Sequence, residues 1–226
     1  MIEEDERGDA AGGDRAHLGG GCSPASSASS RARLPNLLVC GTPGTGKSTL
    51  CSAVAERCGL RHIVLGDVAR ARGLHAGPCA DAAWEGALAL DGDAEDALLD
   101  ALEPEMAAGG VALEHHTVDF FPERWFGRVL VLRCETDVLF DRLTARGYGA
   151  RKVEENVCAE IMCVVAEEAR DNYAAAVVRE LPANSLDDLD AAVASVEAWL
   201  EDVRAAAAAA AAAEPQQPQP QPVAAS

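Results

Sequence analysis

Gly41-Thr42-Pro43-Gly44-Thr45-Gly46-Lys47-Ser48 sets four residues between Gly41 and Gly46 and follows the second with a lysine and a hydroxyl. That is the spacing of a phosphate-binding loop, in which glycines let backbone N–H groups turn inward onto phosphate oxygens. The positive end of the helix expected to follow adds to the same field. Lys47 would then reach the β/γ-phosphates of ATP and Ser48 would ligate Mg²⁺, with Gly44, Gly46 and Thr49 completing the nucleotide cradle. The chemistry indicated is the binding of a nucleoside triphosphate.

A loop of this kind needs a strand before it and a helix after it. Leu37-Leu38-Val39-Cys40 reads as a buried strand, and Lys47 to Cys58 reads as a helix. Apolar runs and helical patterns continue to alternate, which is the signature of a parallel sheet wrapped by helices. The expected strands are Leu37–Cys40, His62–Leu65, Val111–Glu114, Arg128–Arg133 and Val177–Leu181. The expected helices are Lys47–Cys58, Asp67–Arg72, Glu95–Ala107, Asp137–Arg146, Val153–Ala176 and Leu186–Arg204. In the fifth, Val153, Val157, Ile161, Val164 and Val165 recur at helical spacing and are read as core. Ligands of such a sheet bind at the carboxyl ends of its strands.

Residues 1–33 are rich in Gly, Ser, Ala and charge, and residues 205–226 run from an alanine tract into Pro and Gln. Neither tail has much to bury, so both are expected to lie outside a single domain spanning 34–204, although the alanines suit an extension of the last helix. The formal net charge of the 226 residues is −18, from 37 acidic against 19 basic side chains. Such a surface repels nucleic acid and anionic membrane and attracts basic proteins. The eight cysteines include no C-x-x-C pair, and they are expected to be buried thiols in a reducing compartment. The acidic start and the absence of a long apolar run point to a soluble intracellular protein.

Phosphoryl transfer requires cations around the triphosphate and the acceptor, because charge on the equatorial oxygens must be stabilised. Arg142 and Arg146 lie one turn apart, and Arg151-Lys152 follow a Gly147-Tyr148-Gly149 hinge, which makes a basic cluster in an acidic chain. The third strand ends Glu114-His115-His116. A carboxylate there, usually Asp, holds the magnesium water shell in phosphate-loop enzymes, so Glu114 is a candidate metal group. His116 is a candidate for ordering an attacking water or contacting the acceptor, and His115 is read as structural.

Four stretches resemble the adenylate kinase isoenzyme 6 family: Pro35 to Lys47, Gly66-Asp67-Val68-Ala69-Arg70, Val118-Asp119-Phe120-Phe121-Pro122-Glu123-Arg124-Trp125-Phe126, and Arg142-Leu143-Thr144-Ala145-Arg146-Gly147-Tyr148. The resemblance implies a P-loop nucleoside monophosphate kinase fold, with five parallel strands, an acceptor-binding segment near 66–93 and a short lid near 145–156. It places Arg142 near the adenine, Arg146 on the phosphates and Arg70 on the acceptor α-phosphate. The family's Asp-x-His pattern falls on Glu114 and His116, so a longer carboxylate replaces Asp. The segment 71–93, with Gly77-Pro78-Cys79-Ala80-Asp81-Ala82-Ala83-Trp84, departs from the family's acidic, tyrosine-containing sequence.

The implied activities are Mg²⁺-dependent transfer of the ATP γ-phosphoryl group to AMP and ATP hydrolysis, in a monomer of the nucleus and cytoplasm that assists small ribosomal subunit maturation. An alternative role is that of an assembly factor, binding a basic small-subunit ribosomal protein and the pre-ribosomal particle during small ribosomal subunit maturation. A kinase for another acceptor, such as shikimate, is disfavoured by the Asp119–Trp125 stretch.

Overall fold

Strand β1 (Asn36–Gly41) is buried at every position, as an unbroken apolar run must be when strands flank both edges and helices cover both faces. The computed structural model describes residues 34–75 and 90–213. In it β1 is the centre of a five-stranded sheet with β2 (Arg61–Val64), β3 (Val111–Glu114), β4 (Phe126–Arg133) and β5 (Val178–Pro182), in the order β2-β3-β1-β4-β5. Every pairing is parallel. Val39 pairs with Glu114 and Gly41 with Leu132, so the phosphate loop leaves β1 beside the ends of β3 and β4.

Seven α-helices lie among the described residues: α1 (Lys47–Cys58), α2 (Leu65–Arg72), α3 (Gly92–Ala108), α4 (Thr136–Ala145), α5 (Ala150–Ile161), α6 (Val164–Asn172) and α7 (Leu186–Ala213). Alternation along β1 sends Leu38 and Cys40 to one face and Leu37 and Val39 to the other. The first face packs against Leu98 and Leu102 of α3 and Ala166 and Ala169 of α6. The second packs against Leu50 and Val54 of α1 and Val193, Val196 and Trp199 of α7. A smaller cluster of Cys134, Leu139, Leu143 and Val153 joins α4 to α5. Asn36, buried at the start of β1, ties the layers at that end: its amide donates to the carbonyls of Met106 (2.9 Å) and Trp125 (3.0 Å) and its oxygen accepts from Val111 N–H (3.1 Å).

The single helix expected over Val153–Ala176 is instead α5 and α6, separated at Met162 and Cys163, where Cys163 takes a left-handed φ of 57°. The break has a cause in packing. Glu160 is drawn into the protein at the end of α5, and the chain must then turn so that Ala166 and Ala169 reach the sheet. The apolar stripe read as core is divided accordingly. Val153 is buried and Val157 and Val165 pack against clusters, but Ile161 is 61% and Val164 41% exposed.

Helix Lys47–Cys58 and strand Val111–Glu114 have the expected bounds, and the other expected elements are present with shifted ends. Helix α3 begins at Gly92 because Asp91 caps it by accepting from Ala94 N–H at 2.9 Å. Helix α7 continues through the alanines to Ala213. The expectations for residues 1–33, 76–89 and 214–226, Trp84 included, lie outside the described residues. Cys40, Cys51 and Cys134 are buried as expected, whereas Cys158 is exposed. No described helix is long and apolar enough to cross a membrane.

Candidate active site

Gly44 and Gly46 both adopt φ of 97°, a conformation that L side chains rarely tolerate. At Gly44 space matters as well, since a Cβ would fall 2.8 Å from Leu139 Cδ1 and 2.9 Å from Leu143 Cδ2 of α4. Gly46 caps α1 with no side-chain acceptor, which leaves the first helical N–H groups for an anion.

Lys47 is buried, and its ammonium donates to the carbonyls of Gly41 (2.7 Å) and Thr42 (3.1 Å). Burial pushes its pKa down to about 8; repulsion from Arg146 acts in the same direction and the Glu114 carboxylate opposes it. The Ser48 hydroxyl donates to Glu114 Oε1 at 2.6 Å, and Glu114 Oε2 lies 2.9 Å from His62 Nε2. Thr49, expected in the cradle, is exposed and does not line the cleft.

The loop opens onto a cleft of about 830 Å³ at the carboxyl ends of the strands, lined by Gly44, Gly46, Lys47, Ser48, Arg70, Glu114, His116 and Arg146 among others. Residues from four separate stretches of sequence thus converge on one space. Arg70 lies on α2 with its guanidinium 2.8 Å from Asp67 Oδ1. The surrounding protein pushes the His116 pKa down to about 4, helped by Lys47 and opposed by Asp119. His116 is therefore neutral at pH 7, able to accept or donate a hydrogen bond without adding charge. His115 is buried, and its ring meets Phe120 and Phe121 edge to face at 5.6 and 5.8 Å.

The basic cluster around the hinge divides. Arg146 and Lys152 line the cleft, with the Lys152 ammonium 4.2 Å from the Tyr148 ring centroid. Arg142 instead donates to the carbonyls of Ala183 (2.6 Å) and Asn184 (2.9 Å), beyond β5. It sits beside a shallow depression lined by Cys134, Glu135, Leu181, Pro182 and Asn184. In the Asp119–Trp125 stretch, Phe121 and Trp125 point into the core, and Trp125 Nε1 and Arg124 both donate to Glu103 Oε2.

Sequence reasoning did not single out Glu160, His62 or Cys51. Glu160 is 3% exposed. It accepts from the Thr42 hydroxyl at 2.5 Å, from Arg133 Nε at 2.7 Å and from Cys134 N–H at 3.1 Å. It thereby fixes the phosphate loop to the end of β4. Nothing local marks it among the many acidic residues of the helical segments.

The donor set fits a magnesium-bound nucleoside triphosphate. Ser48 and Glu114 are paired oxygen donors suited to a hard cation, and Lys47, Arg146 and the uncapped start of α1 suit the phosphates.

Sheet order, phosphate loop and cation-lined cleft together define a P-loop nucleotide kinase. The AAA domain family matches residues 37–163. A shikimate kinase from Bacteroides thetaiotaomicron shares the fold at a TM-score of 0.51 and 16% identity, over 74% of this chain and 98% of that one. Two curated relatives are each named an adenylate kinase isoenzyme 6 homolog. The Schizosaccharomyces pombe protein is 41% identical over 167 residues, 74% of this chain and 92% of its own. The Dictyostelium discoideum protein is 36% identical over 168 residues, 74% of this chain and 93% of its own. The chain belongs to the adenylate kinase isoenzyme 6 family.

Proposed function

We propose that the chain transfers the ATP γ-phosphoryl group to a nucleoside monophosphate, with AMP as the acceptor, and hydrolyses ATP when water takes the acceptor's place. The observation that carries this reading is that Lys47 and Arg146, from opposite ends of the set of sequence motifs, line one cleft together with Ser48 and Glu114. Two cations directed into one space are relieved by an anion, and a triphosphate brings enough charge for both. Arg70, on the α2 side of the same cleft, supplies a cation for the acceptor phosphate.

In the reaction an acceptor phosphate oxygen bonds to the γ-phosphorus while the bond from that phosphorus to the β-bridging oxygen breaks, leaving ADP on both sides when the acceptor is AMP. The protein contributes position and charge and no covalent intermediate. Lys47 and Arg146 stabilise the transferring group, and neutral His116 orients the acceptor or a water by a hydrogen bond. Ser48 and Glu114 would hold Mg²⁺, which neutralises developing negative charge.

A coupled assay of ADP formation over a panel of monophosphates tests this. AMP should stimulate ADP production well above the ATP-alone rate, and an unstimulated rate with every acceptor would leave only the ATPase. A second reading, in which hydrolysis gates docking to a basic small-subunit ribosomal protein and the pre-ribosomal particle in the nucleus and cytoplasm, is favoured by the net charge of −18. Complex formation that weakens steeply with salt would support it.

A further inference from the structure

Cys51, one turn after Ser48 on α1, lies against the sheet face that carries Ala112. His62 pairs with Ala112 and Val64 with Glu114, so alternation places the His62 and Glu114 side chains on that same face. The three side chains meet there. Cys51 Sγ, a ring nitrogen of His62 and a carboxylate oxygen of Glu114 all lie within 4.8 Å of one another. Cys51 is fully buried, and the side chains of His62 and Glu114 are only 20% and 10% exposed.

We propose that Cys51, His62 and Glu114 form a binding site for a thiophilic divalent cation of the Zn²⁺ class, separate in chemistry from the magnesium position. A sulfur, an imidazole nitrogen and a carboxylate oxygen make a donor set of tetrahedral zinc, whereas magnesium takes oxygen alone. Tetrahedral zinc would bring these atoms to about 3.5 Å apart, which requires only about 1 Å of closure by side chains already in place. The fourth position is left to a water or hydroxyl oxygen on the side of Ser48.

Glu114 is common to both metals. Zinc on Oε2, the oxygen beside His62, would neutralise the carboxylate whose Oε1 faces the Ser48 hydroxyl, and two divalent cations on one carboxylate repel, so the two metals exclude one another and zinc acts as an inhibitor. That consequence rests on the kinase reading, but the metal site does not.

The test uses the nucleotide-free full-length protein with Co²⁺ as the probe, Zn²⁺ as competitor and no turnover. One equivalent of Co²⁺ should give a sulfur-to-cobalt charge-transfer band with the intense visible bands of a tetrahedral ion, and Zn²⁺ should bleach both. Cys51→Ala should abolish the charge-transfer band although seven other cysteines remain of the eight. His62→Ala, at a position less buried than Cys51, should weaken Zn²⁺ competition at least about tenfold and covers the case in which the core variant fails to fold. Absence of the band in the wild-type protein, its full retention in Cys51→Ala, or unchanged Zn²⁺ competition in His62→Ala would overturn the site. Adding saturating Mg²⁺ with ATP should displace Co²⁺, and a band unchanged by that addition would overturn the mutual exclusion.

Discussion

Thr42, at the head of the phosphate loop, donates its hydroxyl to Glu160 Oε2 at 2.5 Å across 118 positions of sequence. The same carboxylate binds Arg133 and the backbone of Cys134, so one buried side chain fixes the loop to β4 and to the far end of α5. Glu160→Ala removes the acceptor from three donors at once and leaves the Arg133 guanidinium short of a partner. A loss of about 3 kcal/mol of stability is expected, with a raised KM for ATP. Urea unfolding and steady-state kinetics measure both, and an unchanged unfolding midpoint would show that the clamp contributes nothing.

Lys47→Met should eliminate phosphoryl transfer without lowering the melting temperature. The folded-state pKa of about 8 lies below the ordinary 10.5, so between those values the unfolded chain binds the proton more readily. At pH 7 the buried charge therefore costs stability on the order of 3 kcal/mol, which the variant regains. A coupled assay with thermal melts checks this. Residual turnover above about a tenth would contradict the assigned role, since losing such a clamp costs a few kcal/mol of barrier.

Arg146→Ala and Arg142→Ala should differ in kind. Arg146 faces the cleft, and an interaction made mainly in the transition state lowers kcat and kcat/KM together, here by about a hundredfold. Arg142 holds the carbonyls of Ala183 and Asn184, so its loss should raise KM for ATP and lower stability by about 1 to 3 kcal/mol. Equal kinetic parameters in the two variants would sink the distinction.

Asp188 supplies a pH dependence. It accepts from the N–H groups of Asn184 (2.8 Å) and Ser185 (3.0 Å), which holds its carboxyl below its ordinary 3.8, the Asn184 bond contributing most. The unfolded state then binds the proton first as the solution is acidified. The stabilisation is complete above the ordinary carboxylate pKa and fades as pH falls through the folded-state value. Asp188→Asn should flatten the acid limb of a melting-temperature profile, and superimposable limbs would contradict the assignment.

The phosphate loop and the convergence of Lys47, Ser48, Arg70, Glu114, His116 and Arg146 were legible because each belongs to a short local pattern and because parallel sheets bring strand ends together. The division of the expected helix at Cys163 was not. It depends on a non-glycine residue in a left-handed conformation, which no propensity anticipates, and on Glu160, whose partners are remote in sequence. The Ile161 and Val164 stripe misled for the same reason, since helical spacing identifies a face only while the helix continues. The grouping of Cys51 and His62 with Glu114 escaped notice because it is created by sheet register and not by spacing.

Helix α7 has an orientation with practical weight. Trp199 lies against Arg128 and above Gly127, at the amino end of β4 and hence at the pole opposite the cleft. From there the helix runs on to Ala213, a further span of about 20 Å at helical rise. A tether, label or bulky fusion joined behind that alanine rod is delivered to the rear of the enzyme, where it can anchor the molecule to a surface or another particle while nucleotides enter and leave unhindered from the front.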